Sequence, residues 1–275
     1  MWGHIFIIGS YFMNRNKIYI YNDSGCVDVE TLEFFVKSQF CDGGIEVSKI
    51  DAGDIKAGKL GNDVLAFFMP GGRADEYYAK LFVDGNTKIR DYVANGGMYL
   101  GICAGAYYAC REVRFEEDVD HLKVYGKYGL NLLNCVAKGT LHKELGITRF
   151  AKHPSSMAIV DLRGGVKNTT YASLYHGGPF FDEIEGKYET VADYILCDKT
   201  YKKENETKHA IVSCDFGRGK VLLSGVHFEV GPKEFGAILP FMKKNQDYLR
   251  CFRDMKSKEK KRQKLLCDLI GKVRS

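Results

Sequence analysis

Lys17-Ile18-Tyr19-Ile20-Tyr21 is a β-branched and aromatic run that stops at Asn22-Asp23-Ser24-Gly25, which predicts a strand followed by a turn. Val29, Leu32, Val36 and Phe40 recur at helical spacing, and Asp42-Gly43-Gly44 ends that helix. Residues 45–50 alternate apolar and polar side chains like a second strand, whereas residues 64–69 are continuously apolar, as expected of a strand covered on both faces. That strand runs into Pro70-Gly71-Gly72. Ile89, Tyr92 and Val93 mark one face of a helix that Gly96-Gly97 can cap, and Met98-Tyr99-Leu100-Gly101 is another buried strand. This alternation predicts the α/β class: an open, mostly parallel sheet flanked by helices. Residues 115–200 parse only as short strands and loops rich in Gly, Tyr and His. Residues 209–214 and 220–225 then form two strands around Asp215-Phe216-Gly217-Arg218-Gly219, a hairpin, and a last helix is expected from about Lys233 onward.

No internal repeat or linker divides the 275 residues, and their 45% apolar content can fill one sizeable core. The expected organisation is an N-terminal extension at 1–12, with Met13 as a possible second start, one domain at 13–250, and a basic helix or tail at 251–275. Of 40 Lys/Arg and 35 Asp/Glu, ten and three fall in Arg250–Ser275, leaving 30 against 32 elsewhere. A near-neutral body with a basic, solvated helix end argues against a nucleic-acid-binding domain. No apolar run approaches the roughly 18 residues of a membrane span, so no membrane partner is expected. The run Ile5-Phe6-Ile7-Ile8 is too short for a secretory signal. Nine cysteines without paired, metal-like spacing fit a reducing, cytoplasmic compartment, with no metal and no cofactor expected.

Gly101-Ile102-Cys103-Ala104-Gly105 carries the chemistry. A Gly-x-Cys-x-Gly segment after a buried strand and before a helix-forming run is a nucleophile elbow in outline. The sharp reversal forces Cys103 into a strained backbone, and glycines on both sides let the chain pass closely. A thiol at the amino end of a helix is favoured as thiolate. Cys110, Cys135, Cys197 and Cys214 are expected instead as small buried hydrophobes. His227 follows the apolar strand 221–223, at the sheet edge where Cys103 would also lie. Glu229, two residues on in extended chain, is placed to orient the imidazole. Pro70-Gly71-Gly72 follows another buried strand, and its backbone N–H groups with that of Ala104 would form an oxyanion hole.

These motifs, in this order, resemble those of the class I glutamine amidotransferase-like superfamily. The closer resemblance is to the amino-terminal domain of eukaryotic-type biotin–protein ligases and their stand-alone relatives. It rests on Phe68-Met69-Pro70-Gly71-Gly72-Arg73-Ala74-Asp75, on the extended elbow from Gly96 to Tyr107, and on Tyr175-His176-Gly177-Gly178-Pro179-Phe180-Phe181. The resemblance implies flavodoxin-like layering, a Cys103–His227–Glu229 triad, an oxyanion hole at Gly71, Gly72 and Ala104, and a substrate pocket of Arg73, Tyr107, His176, Gly177 and Phe180. Two departures stand out. Ala106-Tyr107-Tyr108 occupies the stretch where glutamine-hydrolysing members commonly carry a Gln, and His227-Phe228-Glu229 replaces His-Pro-Glu. Gly217-Arg218-Gly219-Lys220 looks like a biotin-ligase glycine–arginine loop, but its place before Val221 fits a hairpin turn. Two functions follow as expectations. One is a cysteine-dependent amidase or amidotransferase-like hydrolase acting on a small-molecule substrate. The other is a non-catalytic regulatory or ligand-binding module associated with a biotin ligase catalytic domain, with no biotinylation by this chain alone.

Overall fold

Strands apolar on both faces need cover on both faces, and here the alternation of side chains along each central strand feeds two separate cores. Phe67, Tyr99, Val221 and Leu223 point into one, while Phe68, Leu100 and Leu222 point into the other. The computed structural model describes residues 15–40, 44–116, 120–147, 156–164, 169–197, 207–238 and 246–274, so the segment 1–12 and Met13 lie outside the described residues. The first half alternates as β1 (Lys17–Tyr21), α1 (Val29–Phe40), β2 (Glu46–Ile50), α2 (Ala52–Lys56), β3 (Val64–Met69), α3 (Ala74–Ala94), β4 (Met98–Ile102) and α4 (Ala104–Tyr108). Then come β5 (Cys110–Phe115), β6 (Val124–Gly126), β7 (Leu133–Gly139), β8 (Ala158–Gly164), β9 (Thr170–Tyr175), β10 (Phe180–Asp182), β11 (Glu189–Tyr194), β12 (His209–Phe216) and β13 (Gly219–Ser224). Helices α5 (Pro232–Ile238) and α6 (Gln246–Arg274) close the described chain.

The sheet is open and runs β2-β1-β3-β4-β13-β12-β10-β7-β5-β6, with β11, β8 and β9 branching from β12. Its first five strands pair in parallel. Beyond β13 most pairs are antiparallel, beginning with the β12–β13 hairpin whose turn holds Gly217 at φ 61°. Helix α1 covers one face and α3 with α4 the other, the layering expected of an α/β sheet. Helix α3 begins fifteen residues before Ile89, because its first half carries a narrow apolar face (Ala74, Tyr77, Leu81) among polar residues. Phe82 breaks its helical geometry at φ 51°. Cys110, Cys135 and Cys214 are buried as expected, but Cys197 is exposed because it lies past the end of β11 rather than inside a strand.

Helix α6 is not a solvated end. It lies along β9 and β8, and Leu265, Leu266, Leu269 and Val273 join the core that also receives Phe68 and Leu222. Lys258 and Lys261 both grip Asp161 of β8, at 2.7 and 2.9 Å, so part of the basic cluster is internal wiring. The run of cations hides an amphipathic period, which is why charge density alone misplaces it. No helix among the described residues is long and apolar enough to cross a membrane. Leu265→Ala is expected to cost about 2–5 kcal/mol in urea unfolding, as for a buried leucine; a loss near zero would mean that α6 does not pack as described.

Candidate active site

Three adjacent parallel strands deliver the chemistry to one edge. Met69 of β3 pairs with Gly101 of β4, and Ile102 of β4 with Ser224 of β13. The residues that follow therefore leave the sheet together: Pro70-Gly71-Gly72, Cys103 and Gly225-Val226-His227. Backbone bonds stitch them, with the Cys103 N–H donating to the Ser224 carbonyl at 2.9 Å and the Gly105 N–H to that of Pro70 at 3.0 Å. Cys103 sits at φ 50°, ψ −108°, a strained conformation held by both neighbours. Gly105 is dictated by contact: a Cβ there would lie 2.2 Å from the Met69 carbonyl oxygen. Because α4 has only five residues, its dipole is small.

His227 is anchored on both sides. Its backbone N–H donates to Leu174 of β9 at 2.8 Å, and its Nδ1 meets Glu229 Oε1 at 2.8 Å. Nε2 is buried with no hydrogen-bond partner. A Cβ built on Gly71 would stand 3.1 Å from His227 Cε1 and 3.6 Å from Cys103 Cβ, so ring and thiol flank that glycine. Burial works against a charged imidazole, but the charge of Glu229, the Cys103 sulfur and the Glu229 hydrogen bond together raise the His227 pKa well above its usual 6.5. Cys103 Sγ also lies 3.9 Å from the His176 carbonyl oxygen.

A cavity of about 270 Å³ opens on this edge and is lined by Cys103, Ala104, Gly71, Gly72, His227 and Glu229. Arg73, Tyr107, His176 and Gly177 line it too. Phe180 does not. Strand β10 turns it into the core under Lys208, whose Nζ is 4.3 Å from the ring centroid, so it behaves as packing rather than as a pocket wall. The Arg73 guanidinium is already engaged, 2.7 Å from Asp75 and 3.4 Å from Glu76. Tyr107 is buried and donates its hydroxyl to the Gly177 carbonyl at 3.3 Å, fastening the elbow helix to the His176-Gly177 turn. The Gly72 and Ala104 amides have no hydrogen-bond partner among the described residues. Nor is any group of three His, Cys, Asp or Glu among them placed to hold a metal ion.

Two supporting residues escape a reading of the sequence. Tyr77 donates its buried hydroxyl to the Gly71 carbonyl at 2.7 Å and so sets the Pro70-Gly71-Gly72 turn; its i, i+4 spacing to Leu81 is the signal that would have found it. Arg262 of α6 is buried and clamped by both oxygens of Glu259, at 2.7 and 2.8 Å. Its Nη1 donates to the Phe228 carbonyl at 2.8 Å, between His227 and Glu229. Inside a basic run nothing in the sequence marks it.

Comparison with known proteins adds the following. The model of the family described as "Biotin-protein ligase, N terminal" matches residues 16–274. An uncharacterised protein of Chlamydia muridarum is 28% identical over 229 residues, covering 80% of this chain and 83% of that one. The biotin–protein ligase of Schizosaccharomyces pombe is 31% identical over 162 residues, 58% of this chain but only a quarter (25%) of the ligase. Among solved structures, a glutamine amidotransferase from Thermotoga maritima superposes with TM-score 0.52 at 13% identity, covering 95% of this chain and 99% of that one. PurLQS from the same organism gives TM-score 0.50 at 12% identity, covering 88% and 98%. These likenesses establish the glutamine amidotransferase-like fold.

Two outcomes follow from the geometry. Because folded His227 holds its proton more tightly than the unfolded chain, the stability it contributes is complete below about pH 6.5 and is lost as pH rises through its higher folded value. Glu229→Gln should narrow the difference in urea midpoint between pH 6 and pH 9; an unchanged difference would contradict the pairing. Arg262→Ala, which strands the Phe228 carbonyl and removes the cation paired with Glu259, is expected to lower stability by about 1–3 kcal/mol. Arg262→Lys should recover only part of that loss, since an ammonium lacks the planar fork.

Proposed function

The chain belongs to the biotin-protein ligase N-terminal family, and from that premise we propose that it is a cysteine-dependent amidase with a Cys103–His227–Glu229 triad. One observation carries the reading: His227 Nε2 is buried and unpartnered beside the Cys103 elbow, while Nδ1 is held by Glu229. An imidazole so placed has one nitrogen fixed and the other free to exchange a proton with the sulfur.

The chemistry runs as acyl transfer to sulfur and then to water. His227 Nε2 takes the thiol proton as the Cys103 sulfur attacks the substrate carbonyl, forming a C–S bond. The carbonyl electron pair moves to oxygen, where the Gly72 and Ala104 amides donate hydrogen bonds. Each such donor is worth roughly 10²–10³ in rate. Collapse breaks the C–N bond, and the departing amine carries away the proton from His227. Water, deprotonated by the same nitrogen, then attacks the thioester; the C–S bond breaks, the carboxylic acid leaves and the thiol is restored. Glu229 keeps the ring in the productive tautomer throughout.

A second reading, a regulatory module acting on a biotin ligase catalytic domain, is favoured by the match to only a quarter of the fission yeast ligase, which is how a separable domain aligns. Calorimetry against an isolated biotin ligase catalytic domain distinguishes the two: tight binding that survives Cys103→Ser, with no hydrolysis of amides or activated esters by the unaltered protein, would favour the module.

The triad itself is tested by alkylation with iodoacetamide across a pH series, followed by mapping of the labelled sites. The exposed Cys197 and Cys267 serve as internal controls. Cys103 should react faster than either at neutral pH, and in His227→Ala an activated ester should be hydrolysed slower by roughly 10²-fold or more, the usual worth of a general base. A Cys103 that reacts like Cys267 would sink the nucleophile.

A further inference from the structure

We propose that the cavity beside Cys103 selects an aliphatic acyl group, so that the site takes apolar carboxamides and not free glutamine. The binding preference stands on the cavity walls; only the consequence for hydrolysis rests on the amidase reading above. Away from the elbow the cavity is lined by Val113 and Phe115 of β5, Val124 of β6, Leu122, Leu32 of α1 and Val230. Six aliphatic or aromatic side chains therefore stand where the substrate must extend beyond its reacting carbonyl.

The charged groups at the cavity are few beside its apolar walls, and most already have partners. Glu229 holds His227 through Oε1 while its Oε2 is buried without a partner, and Arg73 is paired with Asp75 and Glu76. Asp28 also lines the cavity, at a position open to solvent where water already surrounds its charge. Glutamine would have to bring both an ammonium and a carboxylate against apolar walls, and an unpaired buried charge is far more costly than an unpaired neutral group. Tyr107 points the same way. Its hydroxyl is spent on the Gly177 carbonyl, so it offers the cavity a ring face and no free donor. Close to 270 Å³, the cavity sits near the lower end of ordinary ligand sites, which suits a short or medium chain.

Two measurements test the proposal. The first is calorimetric binding of acetamide, butanamide, hexanamide, octanamide and glutamine to Cys103→Ala, which keeps the walls and removes the chemistry. Affinity should rise roughly fourfold per added methylene until the cavity is full, as for transfer of a CH₂ from water, and glutamine should not bind. Affinity independent of chain length, or glutamine binding more tightly than hexanamide, would overturn it. The second is hydrolysis of acetyl to octanoyl p-nitrophenyl esters by the unaltered protein and by Leu122→Glu, a loop position outside the elbow. The chain-length dependence should flatten in Leu122→Glu, because a carboxylate replaces part of the apolar wall; a dependence unchanged by that charge would also overturn the proposal. Chain-length-dependent binding without any ester hydrolysis would leave the acyl pocket standing and remove the amidase.

Discussion

Everything at the site depends on the parallel pairing of β3, β4 and β13. Parallel neighbours end at the same edge, so the turns at 70–72, 103 and 225–227 meet without any long loop having to reach across. The backbone bonds from Cys103 to Ser224 and from Gly105 to Pro70 turn that coincidence of strand ends into a rigid junction. Rigidity is what lets a cysteine persist at φ 50°: the strain is local, and the sheet that opposes its relief is buried on both faces.

The electrostatics are arranged around one unpartnered nitrogen. Burial alone would strip His227 of its proton; Glu229 and the nearby sulfur reverse that, so the ring holds its proton more tightly than a free imidazole. Neither residue holds itself in place. Leu174 fixes the His227 backbone from one side and Arg262 fixes that of Phe228 from the other. The helix bearing Arg262 is docked by Leu265, Leu266 and Leu269 and by the grip of Lys258 and Lys261 on Asp161. The carboxyl-terminal helix is thereby part of the machinery's support, and its basic character is shared between internal pairing and solvent.

Likeness of fold and likeness of site separate in this protein. The sheet superposes on a glutamine amidotransferase, yet the position beyond the elbow carries Tyr107, whose hydroxyl is tied to the neighbouring turn, and the wall beyond it is largely apolar. An elbow and triad serve acyl transfer in general. The rest of the cavity wall comes from side chains on β5, β6 and α1 that have no part in the motif.

By itself the chain's sequence determined the elements whose evidence is local. The strand–turn–helix around Cys103, the β12–β13 hairpin, the helix at Val29–Phe40 and the spacing of His227 and Glu229 are all set within a few residues, by period and by glycine. Pairwise convergence of the motifs was also legible, because buried strands followed by glycine turns belong at one edge of an α/β sheet. Tertiary structure alone decided what covers what. Phe180 reads like a pocket aromatic but is spent in the core, Arg262 is lost in a run of cations yet reaches the loop between His227 and Glu229, and the apolar wall is assembled from segments that carry no shared pattern. Periodicity encodes which side of an element is apolar; only long-range packing chooses whether that side meets the core, a helix or an open cavity.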